Sequence, residues 1–179
     1  LPTSTVPVRC VSVPDQLKKS GSGALGFGLW VSALVILFDQ LTKLWVFHTF
    51  VPGESIEVTP FFNMVLVFNP GAAFSFLSDA SWRLPFFVVV TLIACAVIVV
   101  ALRRMTAEQT LGQLAVSMVF AGALGNLIDR IRVGEVVDFI DVYWRQYHWP
   151  AFNVADMFIC VGVALVLLDM IRTHQEPAG

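Results

Sequence analysis

The chain has little charge. Only 13% of its 179 residues are Asp, Glu, Lys or Arg, against about 25% in a typical soluble domain. A soluble surface cannot be covered from that supply, so an ordinary soluble fold is excluded. Basic excess is also missing: the formal net charge is −2, which leaves no electrostatic footprint for nucleic acid. Cysteine is scarce. Cys10, Cys95 and Cys160 form no CxxC pair, which excludes a disulfide framework or a cysteine metal site. His48, His148 and His174 are scattered and no HExxH occurs, so no zinc-hydrolase motif is present. No GxSxG surrounds Ser75 or Ser78, which removes the usual setting of a serine nucleophile. There is no internal repeat and no low-complexity run.

Apolar residues are what the chain has in quantity: 57% of the total, with a mean hydropathy of +0.78. A bilayer core needs about 20 apolar residues in a helix. Four runs approach this, from Ala24 to Phe47, Leu84 to Leu102, Leu111 to Ile128 and Val154 to Ile171. The third is diluted by Gln113, Ser117, Gly112, Gly122 and Gly125; such glycines let helices approach closely. The first run is longer than the roughly 7–15-residue core of a cleaved leader and lacks a small-residue cleavage site. The stretch before it, 1–23, is polar and rich in Pro, Ser and Gly, which predicts a disordered tail. Residues 24–172 then form one four-span unit, and 173–179 a short tail.

Positive charge sets orientation. Arg9, Lys18 and Lys19 precede the first run, Arg103 and Arg104 separate the second and third, and Arg172 follows the fourth. Four spans put all three groups on one side, taken as cytoplasmic together with both termini. The outer side holds the loops 48–83 and 129–153. In the first, 61–68 reads as a strand between Pro60 and Asn69-Pro70-Gly71. The following "AAFSFL" is too short to span. It is expected to lie flat at the membrane surface as a lid, with Trp82 as an interfacial anchor.

Ionisable groups at membrane depth are costly and face a cavity or a partner. Asp39 and Lys43 of "DQLTK" stand at i and i+4 on one helix face, the spacing of a structural ion pair. In "GNLIDR", Asn126, Asp129 and Arg130 share a face if the helix persists; a solvated charge pair at a helix end is the plain alternative. In "GEVVDFIDV", Asp138 lies between apolar pairs, which predicts desolvation or a polar hollow. In "FNVADM", Asn153 and Asp156 share the first turn of the fourth span, where an N-cap is the plain reading. Asp138 and Asp156 then reach the same outer interface. Like charges that close cannot both ionise cheaply, so one proton is shared. The ionised member can take a proton from water while the other donates to a carbonyl oxygen or leaving nitrogen.

The set "DQLTK", "FNPGAAFSFL", "GALGNLIDRIRVGEVVDFI" and "PAFNVADM" resembles lipoprotein signal peptidase, also called signal peptidase II, over about 28–172. The resemblance implies a mainly α membrane protein with four transmembrane helices, a small extracytoplasmic β-cradle and a surface helix. It implies an aspartic endopeptidase of the bacterial inner membrane with its site at the outer face. Such an enzyme cleaves diacylglyceryl-modified prolipoproteins before the lipidated cysteine, with membrane lipid and globomycin-type inhibitors as further partners and no cofactor or metal. By the same resemblance Asp138 and Asp156 are the catalytic pair. Asn69 and Gly71 of "NPG", Asn126, Arg130 and Asn153 hold substrate, while Asp39, Lys43 and Asp129 give support. Asp141 would add a third carboxylate near the pair. A small proton-coupled carrier using the same carboxylates is the alternative, and a scaffold whose charges only pin helices is a third. A carrier, however, places such groups near the midplane, in repeated halves.

Overall fold

The structure, a computed structural model, describes residues 16–71 and 79–175, with side chains described for 23–71 and 79–173. The segment "AAFSFL", expected to act as a lid, and Ser75 and Ser78 lie outside the described residues. The chain order is α1 (Gln16–Thr49), β1 (Ser55–Thr59), β2 (Phe62–Asn69), α2 (Arg83–Arg104), α3 (Thr110–Val133), β3 (Val136–Trp144), β4 (Tyr147–His148) and α4 (Val154–Gln175). All four helices are long and apolar enough to cross a membrane. The flanks of the helices are rich in exposed apolar residues, Trp30, Leu37 and Leu41 of α1 and Ile93 and Val97 of α2 among them, as a lipid-facing surface requires.

The tail expected over 1–23 needs correcting at its inner end. α1 begins at Gln16, because Gln16, Leu17, Lys18 and Lys19 are good helix formers that extend the span beyond its apolar part.

α3 is the central helix and packs against α1, α2 and α4. Its buried positions are small, including Ala115, Ser117, Ala121, Gly122 and Gly125. A Cβ at Gly122 would strike the carbonyl oxygen of Ala155 in α4, and one at Gly125 would come within 2.6 Å of Asp39 Oδ2 in α1. These close approaches draw three helices together at one level.

The strands form an antiparallel sheet in the order β1-β2-β3-β4. It sits on the C-terminal ends of α1 and α3 and the N-terminal end of α4. Val46, Phe50, Leu66, Val137, Phe139 and Val154 make the joint between sheet and helices. Gly134 (φ 82°) ends α3 in the left-handed conformation, and its N–H bonds back to Arg130 O at 3.1 Å. This αL cap turns α3 directly into β3. The functional residues at the end of α3 are thereby brought beside Asp138 on β3.

β2 carries a bulge. Met64 pairs with Ile140 and Val67 with Asp138, so Val65 and Leu66 together oppose Phe139. An extra residue reverses the side-chain phase of the strand. Asn63 and Asn69 are an even number of residues apart, yet they face opposite sides of the sheet. Asn63 pairs with Asp141, while Asn69 pairs with Val136 on the face of Asp138.

Candidate active site

Asp138 reaches the site from β3, Asp156 from the first turn of α4, Asn126 and Arg130 from the end of α3, and Asn69 and Gly71 from the end of β2. All six line one cavity of about 1020 Å³. Its remaining wall is largely apolar, with Phe68, Pro150, Phe152 and Ile159 among its members. It opens along the lipid-facing side of α4, where Met157 and Val161 are about half exposed.

The first turn of α4 gives its carboxylate a structural role. Asn153 is the N-cap: its Oδ1 accepts the N–H of Asp156 at 3.0 Å, and Asp156 Oδ2 accepts the N–H of Asn153 at 3.2 Å. This is a reciprocal capping box. The plain reading of Asp156 as a capping residue and the functional reading therefore hold together. Asp156 Oδ1 remains, and it accepts Asn126 Nδ2 at 2.7 Å.

The orientation of each asparagine follows from its neighbours. Lys43 can only donate, and Lys43 Nζ lies 2.9 Å from Asn126 Oδ1. The amide of Asn126 must therefore face Asp156. Asn153 gives its oxygen to the α4 backbone, so its Nδ2 donates to Asp138 Oδ1 at 2.6 Å and to Asn126 Oδ1 at 3.2 Å. Asn69 takes the Gly71 N–H on Oδ1 at 3.0 Å and donates Nδ2 to Asp138 Oδ2 at 3.0 Å. Both oxygens of Asp138 thus accept hydrogen bonds from fixed donors. A protonated carboxyl retains acceptor capacity on both oxygens and gains one O–H. That O–H has no partner among these asparagines and is left to donate elsewhere.

Asp138 is 2% exposed. Burial, followed by the charge of Asp156, pushes its carboxyl from 3.8 up to about 7, against the hydrogen bonds of Asn69 and Asn153 and the charge of Lys43. Asp138 therefore keeps its proton to far higher pH than an ordinary carboxyl.

A buried ion cluster stands behind the site. Lys43 Nζ meets Asp39 Oδ2 at 3.0 Å and Asp129 Oδ2 at 2.7 Å, with all three side chains at most 1% exposed. Asp39 Oδ1 accepts the N–H of Ala155 at 2.8 Å, which ties α1 to the start of α4. Gln40 adds bonds from Nε2 to Asp39, Gly125 O and Asp129, each at 3.1 Å.

Three expectations change. Asp141 does not join the pair: it is three residues from Asp138 on a strand, so it points to the other face, where it bonds Asn63 and His148. Asn153 is not on the cavity wall. It is fully buried and bridges Asp138 and Asn126 rather than presenting itself to substrate. Asp129 turns to Lys43 rather than Arg130. The guanidinium of Arg130 instead donates to Gly71 O at 2.8 Å and lies over the Phe87 ring at 4.6 Å. Gln40 and Phe87 are contributors that the sequence reading misses. Gln40 carried a signal, a polar side chain at membrane depth within "DQLTK". Phe87 carried none, being one phenylalanine in an apolar span.

Comparison with known proteins gives the family and the fold. The family described as signal peptidase (SPase) II matches residues 31–172. A protein of Geobacter metallireducens named lipoprotein signal peptidase is 53% identical over 82% of this chain and 91% of its own length. One of Actinobacillus succinogenes with the same name is 46% identical over 90% of this chain and 98% of its own. Two solved structures described as bacterial membrane enzymes superpose on the fold. One has a TM-score of 0.75 at 35% identity, covering 86% of this chain and 94% of that one. The other has 0.72 at 38% identity, covering 81% and 92%.

Proposed function

Since the chain belongs to the signal peptidase II family, we propose that it removes the signal peptide from diacylglyceryl-modified prolipoproteins by aspartyl chemistry, cleaving before the lipidated cysteine. The observation that carries the mechanism is the meeting of two carboxyl groups from separate elements, Asp138 and Asp156, on one cavity.

A water between the two carboxyls gives a proton to Asp156 as its oxygen attacks the scissile carbonyl carbon. Asp138 delivers its proton to the carbonyl oxygen. Collapse of the tetrahedral intermediate breaks the C–N bond as one of its hydroxyls returns a proton to Asp138, and the proton taken by Asp156 passes to the leaving amine. Arg130 and the Asn69–Gly71 turn line the same cavity and supply fixed donors for the substrate backbone. Asp39, Lys43 and Asp129 hold α1, α3 and α4 so that these donors stay aimed.

The cavity's opening along α4 suits a substrate whose acyl chains remain in lipid. Burial at about 0.8 kcal/mol per CH₂ makes the lipid a large share of recognition. Globomycin-type inhibitors would occupy the same cavity. In this reading the four-span unit of residues 24–172 places the sheet and the site at the outer face of the bacterial inner membrane, with both termini in the cytoplasm.

The test is a gel-shift assay with the purified protein and a lipidated precursor. Asp138→Asn and Asp156→Asn, each checked for folding, should both lose cleavage. Turnover persisting in either variant overturns the assignment of the pair.

A further inference from the structure

On the face of the sheet turned away from the cavity lies a second polar cluster, which the cleavage step does not use. Asp141 of β3 is 8% exposed. Both of its oxygens lie 2.9 Å from His148 Nδ1, and Asn63 Nδ2 donates to its Oδ2 at 2.8 Å. The His148 ring also stacks on Tyr143, with 5.0 Å between centroids and 16° between planes. A carboxylate accepts, so His148 presents Nδ1–H to it. The ring is held by its edge and by its face.

His148 stands in β4, where the chain begins its return from the hairpin to α4. The return segment runs back along β3. Trp149 N donates to Val142 O at 2.8 Å, and Phe152 and Ile140 exchange both backbone bonds at 3.1 and 2.9 Å. Asn153 and the capping box follow at once. The alignment of this segment on β3 therefore decides where Asp156 stands relative to Asp138. A backbone ladder by itself tolerates a slip of two residues, since faces are conserved. A side-chain contact between one residue of each strand does not.

We propose that Asp141 and His148 are positioning residues, whose clasp, braced by Asn63 and Tyr143, fixes the register of the return segment on β3 and so sets the approach of the two reacting carboxylates. The proposal rests on Asp138 and Asp156 being those carboxylates.

The experiment compares His148→Ala with His148→Asn in the full-length protein, on a lipidated precursor, with rates normalised to folded protein. Asparagine keeps an N–H near the place of Nδ1; alanine does not. Misplacing reacting groups by about 1 Å costs up to about 100-fold. His148→Ala should therefore lower kcat by about 10- to 100-fold with KM close to wild type, and His148→Asn should recover most of it. The pH profile supplies a second readout. Burial and the charge of Asp156 hold the proton on Asp138, while Lys43 and Arg130 face it from α1 and α3. If Asp156 recedes and water enters, the alkaline limb of kcat moves to lower pH in His148→Ala. A merely structural role would reduce thermal stability but leave kcat per folded molecule and that limb in place. Such a result overturns the proposal, as does a His148→Asn variant no better than alanine. Should His148→Ala fail to fold, His148→Gln keeps the bulk, removes the donor at Nδ1 and carries the same readouts. Cleavage by Asp138→Asn in the same assay would sink the underlying reading instead, so the two failures are distinct.

Discussion

In the proposed mechanism Asp138 owes its role to its environment. Its carboxyl is raised by burial first and by Asp156 second, to about 7. The acid form is the one needed, so cleavage should hold below neutrality and fall by about one decade per pH unit above about 7. A kcat profile from roughly pH 5 to 9 measures this. The stability sign follows from the same shift. Between about pH 4 and 7 the folded state keeps a proton that the unfolded chain releases, so unfolding free energy declines as pH rises through that window and is level above it. Lys43 is the other decisive residue. It is the only counter-ion in contact with both Asp39 and Asp129 among the described residues. Lys43→Met would leave two carboxylates buried without it, a loss of about 3–5 kcal/mol, read as a lowered unfolding midpoint in detergent. Both residues were legible in the sequence, because charge inside an apolar run is conspicuous. Asp39 was legible too, as the i, i+4 partner of Lys43, but Asp129 as its second partner was not, because pairing between α1 and α3 depends on distances that no spacing encodes.

Among the elements, α3 and α4 set the working geometry. They touch through Gly122, where the backbone carbonyl of Ala155 is the obstacle to any side chain. Backbone cannot rotate away as a flexible side chain would. Gly122→Leu should therefore cost at least the 1–3 kcal/mol of an overpacked core, roughly, and push apart the helices that carry Asn126 and Asp156. Thermal unfolding and the cleavage rate should fall together. The four spans and the strand ending at "NPG" could be read from hydropathy and from turn residues. β3 could not. Its Val136, Val137 and Phe139 are buried on both faces, so it shows no alternation that separates it from a short buried helix. The bulge in β2 was equally hidden, since nothing in "FNMVLVFN" marks where the phase reverses. Its effect is plain in three dimensions: one asparagine serves the cavity and the other serves the clasp. Deleting one residue of the bulge would leave a plain ladder with Asn69 still opposite Val136 and facing Asp138. Inserting one residue between Val67 and Asn69, beyond the bulge, should instead turn Asn69 to the other face and abolish cleavage.

At the scale of the molecule, all polar groups of the site gather at one end of a four-helix body. This distribution separates the peptidase reading from a carrier, whose ionisable groups sit near the midplane. The end of α4 lies away from the sheet, and in the proposed orientation that side is cytoplasmic, so a C-terminal tag should resist added protease in intact spheroplasts and become sensitive after lysis; sensitivity before lysis would reverse the topology. The buried ion cluster also bears on how such a body comes to exist. α1 is synthesised long before α3, so Asp39 and Lys43 meet the insertion machinery without Asp129. Standing one turn apart and 3.0 Å from each other, they cancel as a zwitterion, and the nascent segment can partition into lipid without a naked charge. Only when α3 arrives does the ammonium extend a second allegiance, and the provisional couple becomes the latch that closes the bundle.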